Sequence, residues 1–191
     1  MREREQALVL DVSDLDAGHQ VAATKVLTRN ADYTSYTRLK MFVHGDSNAV
    51  YIPAPDSSDL ELFLRFGADS LNYYEYSTRV FVGWDRRNEI NMDLLKMAQL
   101  KAQLQRGRVD STGMRLTQID TVIIDPRVRN GAPAIYRVRG NPSMQQVRQL
   151  TLGLRNHSDT RSVTAMVYAD ELRLDEARNA PGVAAYARFK T

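Results

Sequence analysis

Cysteine is absent from this sequence of 191 residues. Its absence excludes disulfide bonds and metal sites built on thiolates, and it fits any cellular compartment. Long hydrophobic runs are also missing, because no stretch approaches the roughly 20 apolar residues of a membrane-spanning helix. The first six residues are mostly polar or charged and lack the apolar centre of a signal peptide. Taken by itself, the sequence predicts a water-soluble globular domain.

Concentrated charge of one sign is missing as well. The 26 basic and 23 acidic residues are spread along the chain and give a net charge of +3. The densest basic groups, Arg86 with Arg87 and Arg106 with Arg108, are too small for a nucleic-acid patch. We therefore expect no nucleic acid among the partners.

Motifs that carry out chemistry are not apparent. The three histidines lie far apart without the spacing of metal ligands, and no nucleophile elbow or phosphate loop is present. Carboxylates near one aromatic strand, at Glu75, Asp85 and Glu89, leave a glycosidase pair open, although a solvated charged face is the simpler interpretation. The sequence therefore predicts a protein that is not an enzyme and binds neither cofactor nor metal.

Apolar residues alternate with polar ones over most of the chain, which is typical of half-buried strands. The clearest runs, at 39–43, 60–66 and 72–82, are expected to form the centre of one sheet. One helix is predicted over 94–104, capped by Asn91 or Asp93 and ended by Gly107. Roughly nine strands and one helix favour a mainly β fold, an antiparallel, jelly-roll-like β-sandwich with one α-helix packed on a sheet.

An aromatic row is expected on the outer side of the central strands. It comprises Phe42, Phe63, Tyr73, Phe81 and Trp84. Such a row can stack sugars or an extended peptide, or can contact a partner protein or another part of the same polypeptide. Alternatively, the helix covers it, since the apolar side of the helix must be buried somewhere. These five residues are the candidate binding face.

Several segments, in this order and spacing, resemble an internal part of the SprA family. They are 39–44 (LKMFVH), 64–69 (LRFGAD), 72–76 (NYYEY), 88–94 (NEINMDL), 139–144 (RGNPSM), 152–156 (LGLRN) and 169–174 (ADELRL). The resemblance implies that the sequence is related to giant outer-membrane proteins, which are required for gliding motility and form the translocon of type IX secretion. The chain is too short for such a barrel, so the resemblance implies an inserted domain or a piece of the whole.

Two units are predicted from the pattern of strands. Residues 1–182 form the β-sandwich domain, and residues 183–191 form a final strand. That strand either completes the sandwich or begins a barrel strand that follows it, because both show the same alternation.

The resemblance implies a non-catalytic structural or interaction domain of a protein-transport translocon, associated with the outer membrane on its periplasmic or cell-surface side. Its expected partners are the rest of the same large polypeptide and proteins of the secretion system, and it meets the membrane only through the parent protein. The alternative is a carbohydrate-binding β-sandwich module, which would need the aromatic row to be open.

Overall fold

The computed structural model describes residues 7–47, 58–107, 120–125 and 134–178. Within these ranges the chain forms ten strands and one helix. The elements are β1 (Leu8–Leu15), β2 (Gln20–Ala31), β3 (Tyr36–Gly45), β4 (Leu60–Gly67), β5 (Tyr73–Arg79), β6 (Ile90–Asp93), α1 (Leu94–Gly107), β7 (Asp120–Asp125), β8 (Ala134–Arg139), β9 (Val147–Asn156) and β10 (Val163–Ala177).

The strands form two sheets, and within each sheet all neighbouring strands are antiparallel. One sheet has the order β1-β10-β3-β6 and the other the order β2-β9-β4-β5-β8-β7. Apolar side chains of both sheets form one buried cluster, as in a sandwich whose inner faces interdigitate. The predicted antiparallel β-sandwich is confirmed, whereas its jelly-roll connectivity stays a prediction.

The three clearest strands do not share a sheet, contrary to the expectation from the sequence. β3 lies in the four-stranded sheet, while β4 and β5 pair with each other in the six-stranded sheet. Leu39 and Met41 of β3 therefore belong to the same buried core cluster as Leu62 and Leu64 of β4, but come from the other sheet. Alternation indicates which side of a strand is apolar, but not which strand lies beside it.

The helix begins where the sequence predicts. The Asp93 carboxylate accepts a hydrogen bond from the backbone N–H of Lys96 at 2.9 Å, which makes Asp93 the N-cap. Leu94, Met97 and Leu100 are buried in the core cluster, and the helix contacts β3 and β8, one strand from each sheet. The helix therefore bridges the two sheets, and its apolar side is buried between them.

Two strands differ from the sequence prediction. The sequence pattern predicts a strand only over 20–27 and a polar loop or helical turn over 28–37, but β2 continues to Ala31. The short strand β6 was not predicted. The predicted final strand 183–191, and with it the boundary after residue 182, lies outside the described residues. In the described ranges, no helix combines the length and the hydropathy needed to cross a membrane.

Candidate functional site on the outer face of the six-stranded sheet

The five residues of the predicted aromatic row lie in four different places. Phe42 is half-buried on the outer side of β3, in the four-stranded sheet. Trp84 is 65% exposed and packs against His44, with ring centroids 4.9 Å apart. Phe81 is buried just after β5.

Only Phe63 and Tyr73 come together, on the outer face of the six-stranded sheet. The guanidinium of Arg65 lies over both rings, 4.3 Å from the centroid of Phe63 and 4.8 Å from that of Tyr73. Both distances suit cation–π attraction. A continuous row on one sheet is therefore not formed, because β3 belongs to the opposite sheet.

Beside Phe63, the same outer face carries two buried carboxylates. Glu61 lies two residues before Phe63 on β4, and Glu75 lies on the neighbouring strand β5. Both side chains are only 1% exposed. A buried carboxylate is costly unless charged partners compensate for the lost hydration. The residues around Glu61 and Glu75 therefore determine whether the two carboxylates are stable as charged groups.

Arginines from four strands supply that compensation. The register places Arg155 and Arg79 opposite Glu61, and Arg65 and Arg137 opposite Glu75. We call these residues the Arg–Glu cluster: Glu61, Arg65, Glu75, Arg79, Arg137 and Arg155. Four guanidinium groups and two carboxylates leave two positive charges in excess within the cluster.

The ion pairs of the cluster are close and shared. Glu75 accepts hydrogen bonds from Arg137 and from Arg65, whose Nε lies 2.5 Å from Glu75 Oε2. Arg155 pairs with Glu61 and lies 3.4 Å from Glu75 Oε1. Because both carboxylates, Arg137 and Arg155 have more than one charged partner, the loss of one group disturbs its neighbours as well.

Glu61 is held in its ionised form. Burial by itself would raise the pKa of its carboxyl group, but the neighbouring His157 and the charges of Arg155 and Arg137 lower that pKa from 4.5 to about 2. His157 Nε2 lies 3.0 Å from Glu61 Oε2. Glu61 is thus a fixed negative charge near neutral pH.

Gln20 completes the cluster at the edge of the sheet. Its amide oxygen accepts hydrogen bonds from Nε and Nη2 of Arg155, at 3.2 and 3.1 Å, and from Nη2 of Arg65 at 3.4 Å. A neutral oxygen therefore stands where two guanidinium groups converge. Anionic oxygens form stronger hydrogen bonds with such groups than amide oxygens do.

A depression of about 180 Å³ opens next to Arg65 on this face. Small side chains on β2 and β9 form part of its wall, including Thr24 and Thr151, whose hydroxyl groups lie 2.8 Å apart. Tyr73 lines another side. The face thus combines a guanidinium, hydroxyl groups and an aromatic ring around a shallow concave surface.

The sequence pattern does not indicate the Arg–Glu cluster, although Glu75 stands out in it as a carboxylate near the aromatic strand. The available signal was the run Glu61, Phe63, Arg65, whose spacing of two places all three on one side of β4. Their partners on β8 and β9 lie more than 60 residues away in sequence. In the described part of the chain, no group of three or more His, Asp or Glu residues is arranged to hold a metal ion.

Comparison with known proteins identifies the family. The family model SprA_N, described as a motility related/secretion protein, matches residues 1–191. The chain belongs to the SprA_N family. The resemblance seen in the sequence motifs is thereby confirmed, and this SprA_N chain is a segment of a motility- and secretion-related protein. A comparison of the SprA_N chain with curated proteins gave no match.

Proposed function

We propose that this chain is a non-catalytic structural and interaction domain of a giant outer-membrane translocon, which serves type IX secretion and gliding motility. Membership of the motility and secretion family SprA_N supports the cellular role. The partners would be the rest of the same large polypeptide and other proteins of the secretion system. The domain would meet the outer membrane only through its parent protein.

The burial and ion pairing of Glu61 and Glu75, whose side chains are only 1% exposed, is the observation that best supports a non-catalytic role, because a reacting group must be reachable by a substrate. A general acid needs a carboxyl group whose pKa is raised towards neutrality by its surroundings. The pKa of Glu61 is instead lowered to about 2, because His157 and two arginines stabilise the carboxylate. Glu75 is engaged by three guanidinium groups. Charges arranged in this way stiffen a sheet and present a constant surface to a partner.

The experiment removes the domain from its parent. In the full-length protein, residues 39–174 would be replaced by a short flexible linker, and secretion, gliding and the amount of barrel in the outer membrane would be measured. We expect secretion and gliding to be lost while the barrel still assembles. A parent protein with Glu171→Gln, an exposed substitution, serves as the control. Normal secretion by an assembled deletion variant would contradict the proposal.

The alternative of a carbohydrate-binding module has less support. It depends on a continuous aromatic platform, and the structure distributes Phe42, Phe63 and Trp84 over different faces and loops. A glycan panel tests it directly, because binding that is lost in Trp84→Ala or Tyr73→Ala would favour a carbohydrate module. Absence of binding to every glycan of the panel would contradict this alternative.

A further inference from the structure

Between Arg65 and Arg155, the Arg–Glu cluster contains a position that suits an anion but is occupied by the neutral amide of Gln20. Arg65 and Arg155 both donate a hydrogen bond to the amide oxygen of Gln20. This oxygen is neutral, so it does not offset the two positive charges that the cluster has in excess. The side chains of these two arginines are 19% and 17% exposed, so they are fixed in place but reachable from solvent. A ligand oxygen with a full negative charge would satisfy this position better than the amide does.

We propose that the outer face of the six-stranded sheet binds an acidic segment of a partner polypeptide, with an Asp or Glu carboxylate displacing the Gln20 amide between Arg65 and Arg155. The inference deepens the proposed function, on which it rests, by naming the chemistry of the partner.

A carboxylate fits the two arginines in both charge and shape. The planar guanidinium group can form paired hydrogen bonds with planar carboxylates, and Arg65 and Arg155 each already donate a hydrogen bond to a glutamate, Glu75 and Glu61 respectively. The resident glutamates hold the arginine side chains in place before any ligand arrives. Little conformational entropy is therefore lost when the ligand binds.

The position of Gln20 favours a polypeptide over other anions. Gln20 is the first residue of β2, and in the described part of the chain β2 is an edge strand that pairs only with β9. An extended segment can add to such an edge through main-chain hydrogen bonds. A side chain directly across from Gln20 on the same face would then lie next to the two arginines.

The depression beside Arg65 provides room for a second group of the segment. Its hydroxyl-bearing walls at Thr24 and Thr151 can donate hydrogen bonds, and the Tyr73 ring gives one apolar side. A segment with acidic residues spaced by two would direct successive carboxylates to this face.

Binding of an octaglutamate peptide to the 191-residue chain tests the proposal. The labelled peptide would be titrated by fluorescence anisotropy at low salt, where charge attraction is screened least. We expect Gln20→Glu to weaken binding about tenfold, because the new carboxylate occupies the site. Gln20→Ala should strengthen binding severalfold, since it removes the competing oxygen.

Arg173→Gln is the matched control. It lowers the net charge by one, as Gln20→Glu does, but lies on β10 of the other sheet. We expect the affinity of this variant for octaglutamate to stay within about twofold of the affinity of the unchanged chain, because surface substitutions usually have effects of this size or smaller. Arg65→Gln, with the same change in charge, should weaken binding about tenfold.

Three outcomes would overturn the proposal. They are the absence of octaglutamate binding, equal weakening by Gln20→Glu and Arg173→Gln, and a preference for polygalacturonate or phosphatidylglycerol vesicles over the peptide. If secretion is lost on deletion of 39–174 while octaglutamate does not bind, this inference fails and the proposed structural function stands.

Discussion

The ring of Phe63 lies over the backbone of Gly153. The two residues stand opposite each other on β4 and β9, and a Cβ atom at position 153 would collide with the Phe63 ring and with the carbonyl oxygen of Val21. The absence of a side chain leaves room for the ring above β9, where Arg65 and Arg155 cover it. An aromatic ring that fills the space above a strand glycine stabilises the sheet at that point.

Gly153→Ala should destabilise the domain by about 2 kcal/mol, because the added methyl group cannot be accommodated without shifting β2 or the Phe63 ring. Urea unfolding followed by circular dichroism measures the loss. Arg148→Ala, at an exposed position on the same strand, is the control and should change little. An unchanged unfolding midpoint in Gly153→Ala would mean that the two strands do not approach this closely.

Glu75→Gln should cost about 3 kcal/mol of unfolding free energy, because three arginines would lose a buried counter-charge. The amide keeps the shape of the side chain, so the loss reports on charge. The control is Glu171→Gln, which removes an ion pair of 2.7 Å between side chains that are 40% and 52% exposed. That change should cost less than about 0.5 kcal/mol. Equal losses in the two variants would contradict a buried Arg–Glu cluster.

Acidification should weaken the fold through Glu61. Its pKa is about 2 in the folded chain and has an ordinary value of 4.5, so the unfolded state binds more protons between these values. The stabilisation is fully present above pH 4.5 and is lost as the pH falls towards 2. It amounts to about 3 kcal/mol, and urea midpoints measured across this pH range would record it.

The same titration in Glu61→Gln separates this carboxylate from the others. The variant should be less stable at neutral pH and should show a smaller fall in stability on acidification. Parallel curves for the two proteins would show that Glu61 does not carry the effect.

Asn88 is predicted to be essential for the loop after β5. Its fully buried amide accepts a hydrogen bond from Phe81 N–H and donates to the carbonyl oxygens of Phe81 and Gly83, at 2.7, 2.7 and 3.1 Å. Asn88→Ala leaves the N–H and the carbonyl oxygen of buried Phe81 without these partners, while the carbonyl oxygen of Gly83 keeps the N–H of Gly45, and should cost about 3 kcal/mol in urea unfolding. Asn91→Ala, at an exposed position of β6, is the control. Equal stability of both variants would contradict this arrangement.

The amino-acid sequence by itself determined where the strands lie and which side of each is apolar. Alternation at 60–66 predicted β4, and a polar cap at Asn91 or Asp93 predicted the start of the helix, where the structure shows Asp93 as the cap. These features are local, because the spacing of side chains along a strand or helix depends only on neighbouring residues. The ordered motifs also carried the resemblance to the SprA family, which the family comparison confirmed.

Only the tertiary structure decided which strands are neighbours. It placed β3 opposite β4 across the core, which separated Phe42 from Phe63, and it brought Arg137 and Arg155 to the glutamates of β4 and β5. The alternation within a strand does not specify which strand pairs with it, and the register follows from packing across the whole sandwich. The charged face on which the proposed binding depends therefore exists only once distant strands are paired.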